Sequence, residues 1–248
     1  MSHSPESPVG YFTSQLKRMN PQYEFTFFEG NVQRILTQMR QTDNTCFIAC
    51  LEDRTRLKYL YWTPYSLMPP PVVIMNKDRA EKLKLKGPAV SLKELIQIPG
   101  IVGSISMERS YGPQIDDVLA KANGSNFRRS AQDFIAVNVL VMIAKGRVDY
   151  TIEHISTLEV HAKLDSKDLS VFTIAEATAE LIAYFACSRS EVGKQLITDV
   201  DEFVRKNIGT AGYQKILVDP LIPKQRSESY LRTWKAFAKE RGKSPQIE

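Results

Sequence analysis

Three cysteines and three histidines are the side chains that could make this chain reactive. Cys46 and Cys50 stand in C-x-x-x-C spacing, Cys187 lies far downstream, and His3, His154 and His161 are scattered. A structural zinc site needs paired ligand spacings, and the Cys46/Cys50 pair has no second cysteine pair and no histidine near it. A nucleophilic dyad between one of these thiols and His154 finds no support in the spacing. Three buried thiols are the plainest reading, and one disulfide plus a free thiol is the alternative for an exported chain. Asp116-Asp117 falls inside a helical pattern, where adjacent side chains diverge, so the pair reads as solvated helix surface. The sequence contains no GxxxxGK[ST] loop, no GxGxxG after a strand, no HExxH and no GxSxG elbow. The expectation is a chain without catalytic residues, metal or cofactor.

Composition is ordinary for a globular protein. The 248 residues are 43% hydrophobic and 25% charged, enough for one large domain or two modest ones. No run approaches the ~20 apolar residues of a membrane-spanning helix. The formal charge of +5 is dispersed among acidic residues. Its densest basic stretch, Leu231 to Lys243, carries Leu231, Trp234, Phe237 and Ala238 at helical spacing, which docks a terminal helix on a core and does not suggest a nucleic-acid partner. The first eight residues have no apolar segment and read as a polar leader, not a signal peptide.

The elements that must position any site alternate between strand and helix, which argues for an α/β fold with mostly parallel sheets. Tyr11 to Met19 reads as an amphipathic helix, Tyr23 to Phe28 as a strand, and Asn31 as the cap of a helix from Val32 to Met39. Cys46 to Leu51 is a buried strand. Pro69-Pro-Pro71 makes a stiff crossover into Val72-Val-Ile-Met75, and Lys77 to Pro88 is a charged excursion. Ser91 and Glu94 form a capping box, followed by a strand from Ile101 to Ile105. Arg109-Ser-Tyr-Gly112 precedes Pro113 at a helix start. A second capping box at Ser130 and Asp133 opens the next helix, and Val148 to Ile152 is the following strand. Phe172 to Ile174 and Leu181 to Cys187 are apolar blocks, and Ser188 with Glu191 caps a long helix.

Four segments in order resemble the type II periplasmic solute-binding proteins, the amino-acid-binding family of ABC uptake systems. They are Cys50 to Arg56 with Leu60 to Tyr65; Ser91 to Leu95 with Ile101 to Gly103; Arg109 to Gly112; and Lys145-Gly-Arg-Val-Asp-Tyr150. Their likeness is to an uncharacterised branch rich in R-S-Y-G and G-R-V-D-Y. The resemblance implies a two-lobed fold with parallel-rich sheets and two hinge crossovers. Residues 1–72 plus 181–248 would form lobe one and 73–180 lobe two, with the ligand in the cleft. It further implies a periplasmic monomer that holds a small, carboxylate-bearing ligand and serves a membrane permease or a sensor.

By the same resemblance, Arg56 falls where the family's arginine grips the ligand carboxylate, a task suited to its planar fork. Arg109, Ser110 and Tyr111 fall at a helix start, where amides and dipole favour an anion. Tyr65 either walls the cleft or belongs to the core, and Asn31 is explained by capping alone. Where the family places an aspartate for the ligand ammonium this chain has His154, beside Glu153, and either could replace it. Ala49 and Leu51 stand where small hydroxyl residues precede the family's arginine. The family's first strand precedes its first helix, and the ten residues before Tyr11 do not read as one, so lobe one lacks that strand. Alternatives are a hydrolase or lyase on the same fold using Glu153 and His154, and a degenerate receptor for a partner protein. A regulator's effector domain would need a helix-turn-helix segment, and none is present before Tyr11.

Overall fold

A computed structural model describes residues 6–51, 53–122, 126–130, 135–155, 158, 168–221 and 227–248. Contacts divide the chain into two compact units: one takes the chain up to Gly30, Arg34–Met68 and Glu180–Glu248, the other Asn31–Gln33 and Pro69–Ala179.

The first unit opens with α1 (Pro8–Met19), where Pro8 takes the first turn and the Ser7 hydroxyl accepts the Gly10 N–H at 3.1 Å. Helix α2 (Val32–Gln41) buries Leu36 and Met39, and begins in the stretch grouped with the second unit. Strands β1 (Cys46–Leu51) and β2 (Leu60–Met68) flank β9 (Leu181–Ser188) in the order β1-β9-β2. Both pairings are antiparallel. The parallel-rich expectation therefore fails in this unit, because the central strand returns from the second unit and runs against both neighbours. Helices α7 (Glu191–Asn207), α8 (Ala211–Leu217) and α9 (Glu228–Arg241) complete it. Phe12, Leu16, Tyr65, Phe185, Val200, Phe203, Tyr213 and Trp234 share one core. Helix α9 docks through Trp234, with Leu231, Phe237 and Ala238 packed at the margin, as its spacing predicts.

Three local expectations change. Tyr23 to Phe28 is extended but joins no ladder. Tyr23 and Phe25 pack on the core, while Phe27 and Phe28 are 43% and 44% exposed. The alternation holds only at Tyr23 and Phe25, and no strand among the described residues pairs with the segment to complete a sheet. The long helix α7 is capped by Ser190, whose Oγ accepts the Gly193 N–H at 2.9 Å. Ser188 donates instead to the Thr45 carbonyl at 3.1 Å. Gly193 is required there, since a Cβ would stand 1.8 Å from the Ser188 carbonyl oxygen. Among the three cysteines, Cys46 and Cys187 face each other across β1 and β9 and are disulfide-bonded, and Cys50 is the buried free thiol.

The outer edge of β2 is sealed by groups from elsewhere in the unit. Trp62 exchanges two backbone hydrogen bonds with Glu248, at 3.1 and 3.0 Å. The carbonyls of Leu60, Pro64, Tyr65 and Leu67 accept from Arg189 Nη1, Arg241 Nε, Tyr213 Oη and Tyr230 Oη at 3.1, 2.8, 2.7 and 3.0 Å. Proline 64 has no N–H to offer, so this edge cannot template a further strand. Arg241 is fully buried and donates through Nη2 to Asp201 Oδ1 at 2.5 Å and Thr63 Oγ1 at 2.7 Å. Asp201 Oδ1 also accepts from Thr63 Oγ1 and from the Gln246 N–H.

The second unit carries a six-stranded sheet in the order β4-β8-β3-β7-β5-β6. Its strands are β3 (Val72–Asn76), β4 (Ala89–Val90), β5 (Gly103–Ser106), β6 (Phe127–Ser130), β7 (Tyr150–Glu153) and β8 (Leu169–Ile174). Strand β3 pairs antiparallel with β7 and β8, while β4-β8, β7-β5 and β5-β6 are parallel, so this sheet is mixed. Strand β3 explains its own unbroken apolar run: Val73 and Met75 enter one core, and Val72 and Ile74 enter the other, with Leu140 and Ile143 of helix α6 (Ile135–Ala144). Helices α3 (Lys77–Lys82), α4 (Leu92–Leu95) and α5 (Pro113–Lys121) belong to the same unit. Ser91 caps α4 as expected, accepting the Glu94 N–H at 3.3 Å. Ser130, expected to open a helix, ends β6 instead, because its segment pairs with β5; Asp133, His3 and His161 lie outside the described residues.

Two stability measurements check these assignments. Arg241→Ala is expected to lower the unfolding free energy by about 3 kcal/mol in urea titration, because it leaves the buried Asp201 carboxylate with only the more distant Arg205, 3.9 Å away. Cys46→Ser with Cys187→Ser is expected to cost up to about 5 kcal/mol by the loop-entropy argument, since the bond closes a separation of 141 residues; Cys50→Ser should not show that loss.

Candidate functional site

Strands β5 and β7 run parallel, pairing Gly103 with Tyr150 and Ser104 with Thr151. The same register carried forward brings Ser106 level with Glu153, at the carboxyl ends of both strands. Ligands of open α/β sheets bind at that end. The chain then turns sharply: Met107 donates its N–H to the Ser130 carbonyl at 2.9 Å, and Glu108 adopts a left-handed φ of 60°. The next residue is Arg109.

Arg109 and Glu153 meet as a fork on a fork. Nη1 donates to Oε2 at 2.6 Å and Nη2 to Oε1 at 2.7 Å. The Glu153 side chain is 7% exposed and that of Arg109 26%. A third donor, the His154 N–H, reaches Glu153 Oε1 at 2.9 Å. The Tyr111 ring lies beneath the guanidinium at 5.2 Å, a cation–π contact. Two residues expected to face a ligand separately thus hold each other.

Ser110 and Tyr111 are likewise engaged within the unit. Ser110 Oγ donates to Asp116 Oδ2 at 2.5 Å and the Tyr111 N–H to Asp116 Oδ1 at 2.8 Å. Tyr111 Oη accepts the Ser106 N–H at 2.8 Å, which ties the loop to the end of β5. Gly112 enters α5 with φ 97°, a conformation that favours glycine. The anion expected at this helix start is a side chain of the helix itself. Asp116 therefore does not belong to solvated surface, whereas its neighbour Asp117 does, pairing with Lys121 at 2.7 Å on an exposed face. The missed signal was a carboxylate in the first helical turn just after a Ser-Tyr-Gly loop.

The charges follow from these contacts. Burial pushes the Glu153 carboxyl up, but Arg109 and the His154 N–H pull it below the ordinary carboxylate value. Burial and the Arg109 charge pull His154 down to about 4, against Glu153 and a backbone hydrogen bond at Pro69. At neutral pH the cluster therefore holds one cation, one carboxylate and an uncharged imidazole.

The remaining candidates are Arg56 and Tyr65 in the first unit, and Asn31. Arg56 ends a single helical turn, Arg54–Arg56, in the first unit. It is 6% exposed, and its Nε meets Asp53 Oδ2 at 2.8 Å. Asp53 Oδ1 meanwhile accepts from the Thr55 N–H and hydroxyl at 3.0 and 2.6 Å. Tyr65 is a core residue, edge-on to Phe12, with its carbonyl taken by Tyr213. Asn31 is half-buried immediately before α2. No group of metal-ligating side chains is found among the described residues.

No protein-family model and no curated protein matches this sequence. Solved structures do. The substrate binding protein of an amino acid ABC transporter matches with a TM-score of 0.60 at 13% identity, over 83% of each chain. A histidine kinase sensor domain with similarity to periplasmic binding proteins matches at 0.63 and 14% identity, over 84% of this chain and 82% of its own. Holo ArgBP from T. maritima matches at 0.60 and 12% identity, over 92% of this chain and 84% of its own. The chain has the type II periplasmic-binding-protein fold that the resemblance implied.

The pH dependence of stability follows from His154. Its folded value near 4 lies below the ordinary 6.5, so between these values the unfolded chain binds a proton that the folded chain does not. Stability is then full above pH 6.5 and falls as the pH drops toward 4, by about 2 kcal/mol after discounting for partial exposure. Glu153 adds loss of the same sign once the pH falls below its ordinary 4.5. Urea unfolding from pH 7 to 4 should show this slope, and His154→Gln should flatten it.

Proposed function

We propose that this chain is an extracytoplasmic binding protein that captures a small polar ligand for uptake or for sensing. The observation that carries the reading is the ordered polar cluster of Arg109, Glu153 and His154 at the carboxyl ends of β5 and β7, in a fold shared with binding proteins of both kinds. Side chains so fully oriented before a ligand arrives lower the cost of binding one. The Cys46–Cys187 disulfide supports an oxidising compartment. No helix among the described residues is long and apolar enough to cross a membrane, which accords with a chain that hands its ligand to a separate membrane permease or sensor. The chain would work as a monomer.

A hydrolytic role has less support. A catalytic acid must exchange its proton near working pH, and Glu153 is held ionised by the Arg109 fork. The family resemblance gives the ligand carboxylate to Arg56, whose guanidinium meets Asp53 through Nε at 2.8 Å and Cys50 Sγ through Nη1 at 3.9 Å.

A thermal-shift panel of amino acids, short peptides, organic acids and polyamines tests the proposal. A ligand at a hundredfold excess over its Kd should raise stability by about 2.7 kcal/mol, without product forming. Arg56→Ala should abolish the shift given by a carboxylate ligand. An unchanged shift would remove Arg56 from the site, and product formation would return the enzyme reading.

A further inference from the structure

Given a ligand-binding role, the second unit raises the question of what its cluster can accept. Both features that could hold an anion there are already filled by the unit's own carboxylates. Glu153 occupies the two Nη groups of the Arg109 fork at 2.6 and 2.7 Å. Asp116 takes the Ser110 hydroxyl and the Tyr111 N–H at 2.5 and 2.8 Å. We infer that Glu153 is a tethered stand-in for a ligand carboxylate, so that this unit binds an uncharged, hydrogen-bonding part of its ligand and refuses a free carboxylate. The inference rests on the ligand-binding reading and deepens it by naming the chemical class taken at this end.

The reasoning is one of competition and charge. A tethered carboxylate meets its partner at an effective concentration that a dilute solute cannot match. Displacing it would also leave Glu153, only 7% exposed, buried without a counter-ion. Three of the roughly four acceptor positions of the carboxylate are used, by Arg109 twice and by the His154 N–H, so Glu153 is equally ill placed to take a ligand ammonium. Arg109 is different. A guanidinium has five N–H donors, Glu153 uses two of them, and a quarter of the side chain, 26%, is open. Its remaining donors sit in a charge-balanced setting beside an uncharged imidazole that carries an acceptor nitrogen. A donor array next to a neutral acceptor suits a hydroxyl or an amide, which needs no counter-charge when it leaves water.

The test uses the full chain and simple probes. Melting is followed in rising acetate against chloride at constant ionic strength, for the wild type, Glu153→Gln, and Arg109→Gln combined with Glu153→Gln. The wild type should melt alike in both salts. Glu153→Gln should gain an acetate-dependent rise, with apparent acetate affinity at least tenfold above wild type, and the double variant should lose it. A folded Glu153→Gln protein with no acetate response would overturn the inference, and so would a wild type stabilised by acetate through Arg109. Should Glu153→Gln not fold, the Arg109 Nε–H resonance of the wild type decides: constancy in acetate supports the stand-in, and movement refutes it. Because the probe is acetate and not the natural ligand, a solute panel without any hit would sink the ligand-binding reading and leave this result standing on its own.

Discussion

A guanidinium withdrawn from water must be met by an acceptor of its own shape, and the second unit is arranged around that requirement. The parallel register of β5 and β7 sets Ser106 and Glu153 at one level. The left-handed turn at Glu108 then returns the chain so that Arg109 lies against Glu153 with two parallel hydrogen bonds. Two neighbours engage the pair. Tyr111 supports the guanidinium from below and anchors β5 through its hydroxyl. His154 adds its N–H to the carboxylate and stays uncharged because burial, and after it the nearby Arg109 cation, disfavours its charged form. The outcome is a polar cluster whose net charge is small although it holds full charges.

The first unit meets a different constraint, that of a small sheet with two exposed edges. Only β9 is paired on both sides. The β2 edge is closed by side chains from two helices, by Arg189 and by Glu248, and β1 is fastened to β9 by the disulfide. Arg241 shows how costly charges become useful here. Its carbonyl, hydroxyl and carboxylate partners satisfy the buried guanidinium while binding α9, the chain's last residues and β2 into one network. Tethered carboxylates recur: Asp53 at Arg56, Asp116 at the Ser110 loop, Glu153 at Arg109 and Asp201 at Arg241.

Much of this architecture was legible residue by residue. Ser91 and Glu94, and Pro113 after Gly112, mark helix starts by local chemistry, and the structure begins helices at both places; the first helix instead begins at Pro8, earlier than the Tyr11 start read from its apolar face. The run Val72 to Met75 reads as a new strand after the proline crossover, and the structure sends its two residue parities into separate cores. Local signals misled where a neighbour had to be supplied. Tyr23 to Phe28 alternates like a strand but has no ladder, and Ser130 looks like a helix cap but belongs to β6. Ser188 and Ser190 differ only in which one the chain geometry points at the Gly193 amide.

Residue order alone determined the alternating α/β elements, the family-like order of motifs, and the presence of Arg56, Arg109, Glu153 and His154 as the polar groups worth following. Tertiary structure decided what those groups do to one another. That Glu153 fills the Arg109 fork, that Asp116 turns back on its own loop, and that Cys46 and not Cys50 bonds Cys187 depend on strand register and on one left-handed residue. The Glu153–Arg109 and Cys46–Cys187 pairings join residues 44 and 141 positions apart, and spacing along a chain carries no information about which distant side chain arrives opposite. Charge and hydrogen bonding act over a few ångströms, so only the folded register could convert a set of candidate ion-binding residues into a set of satisfied ones.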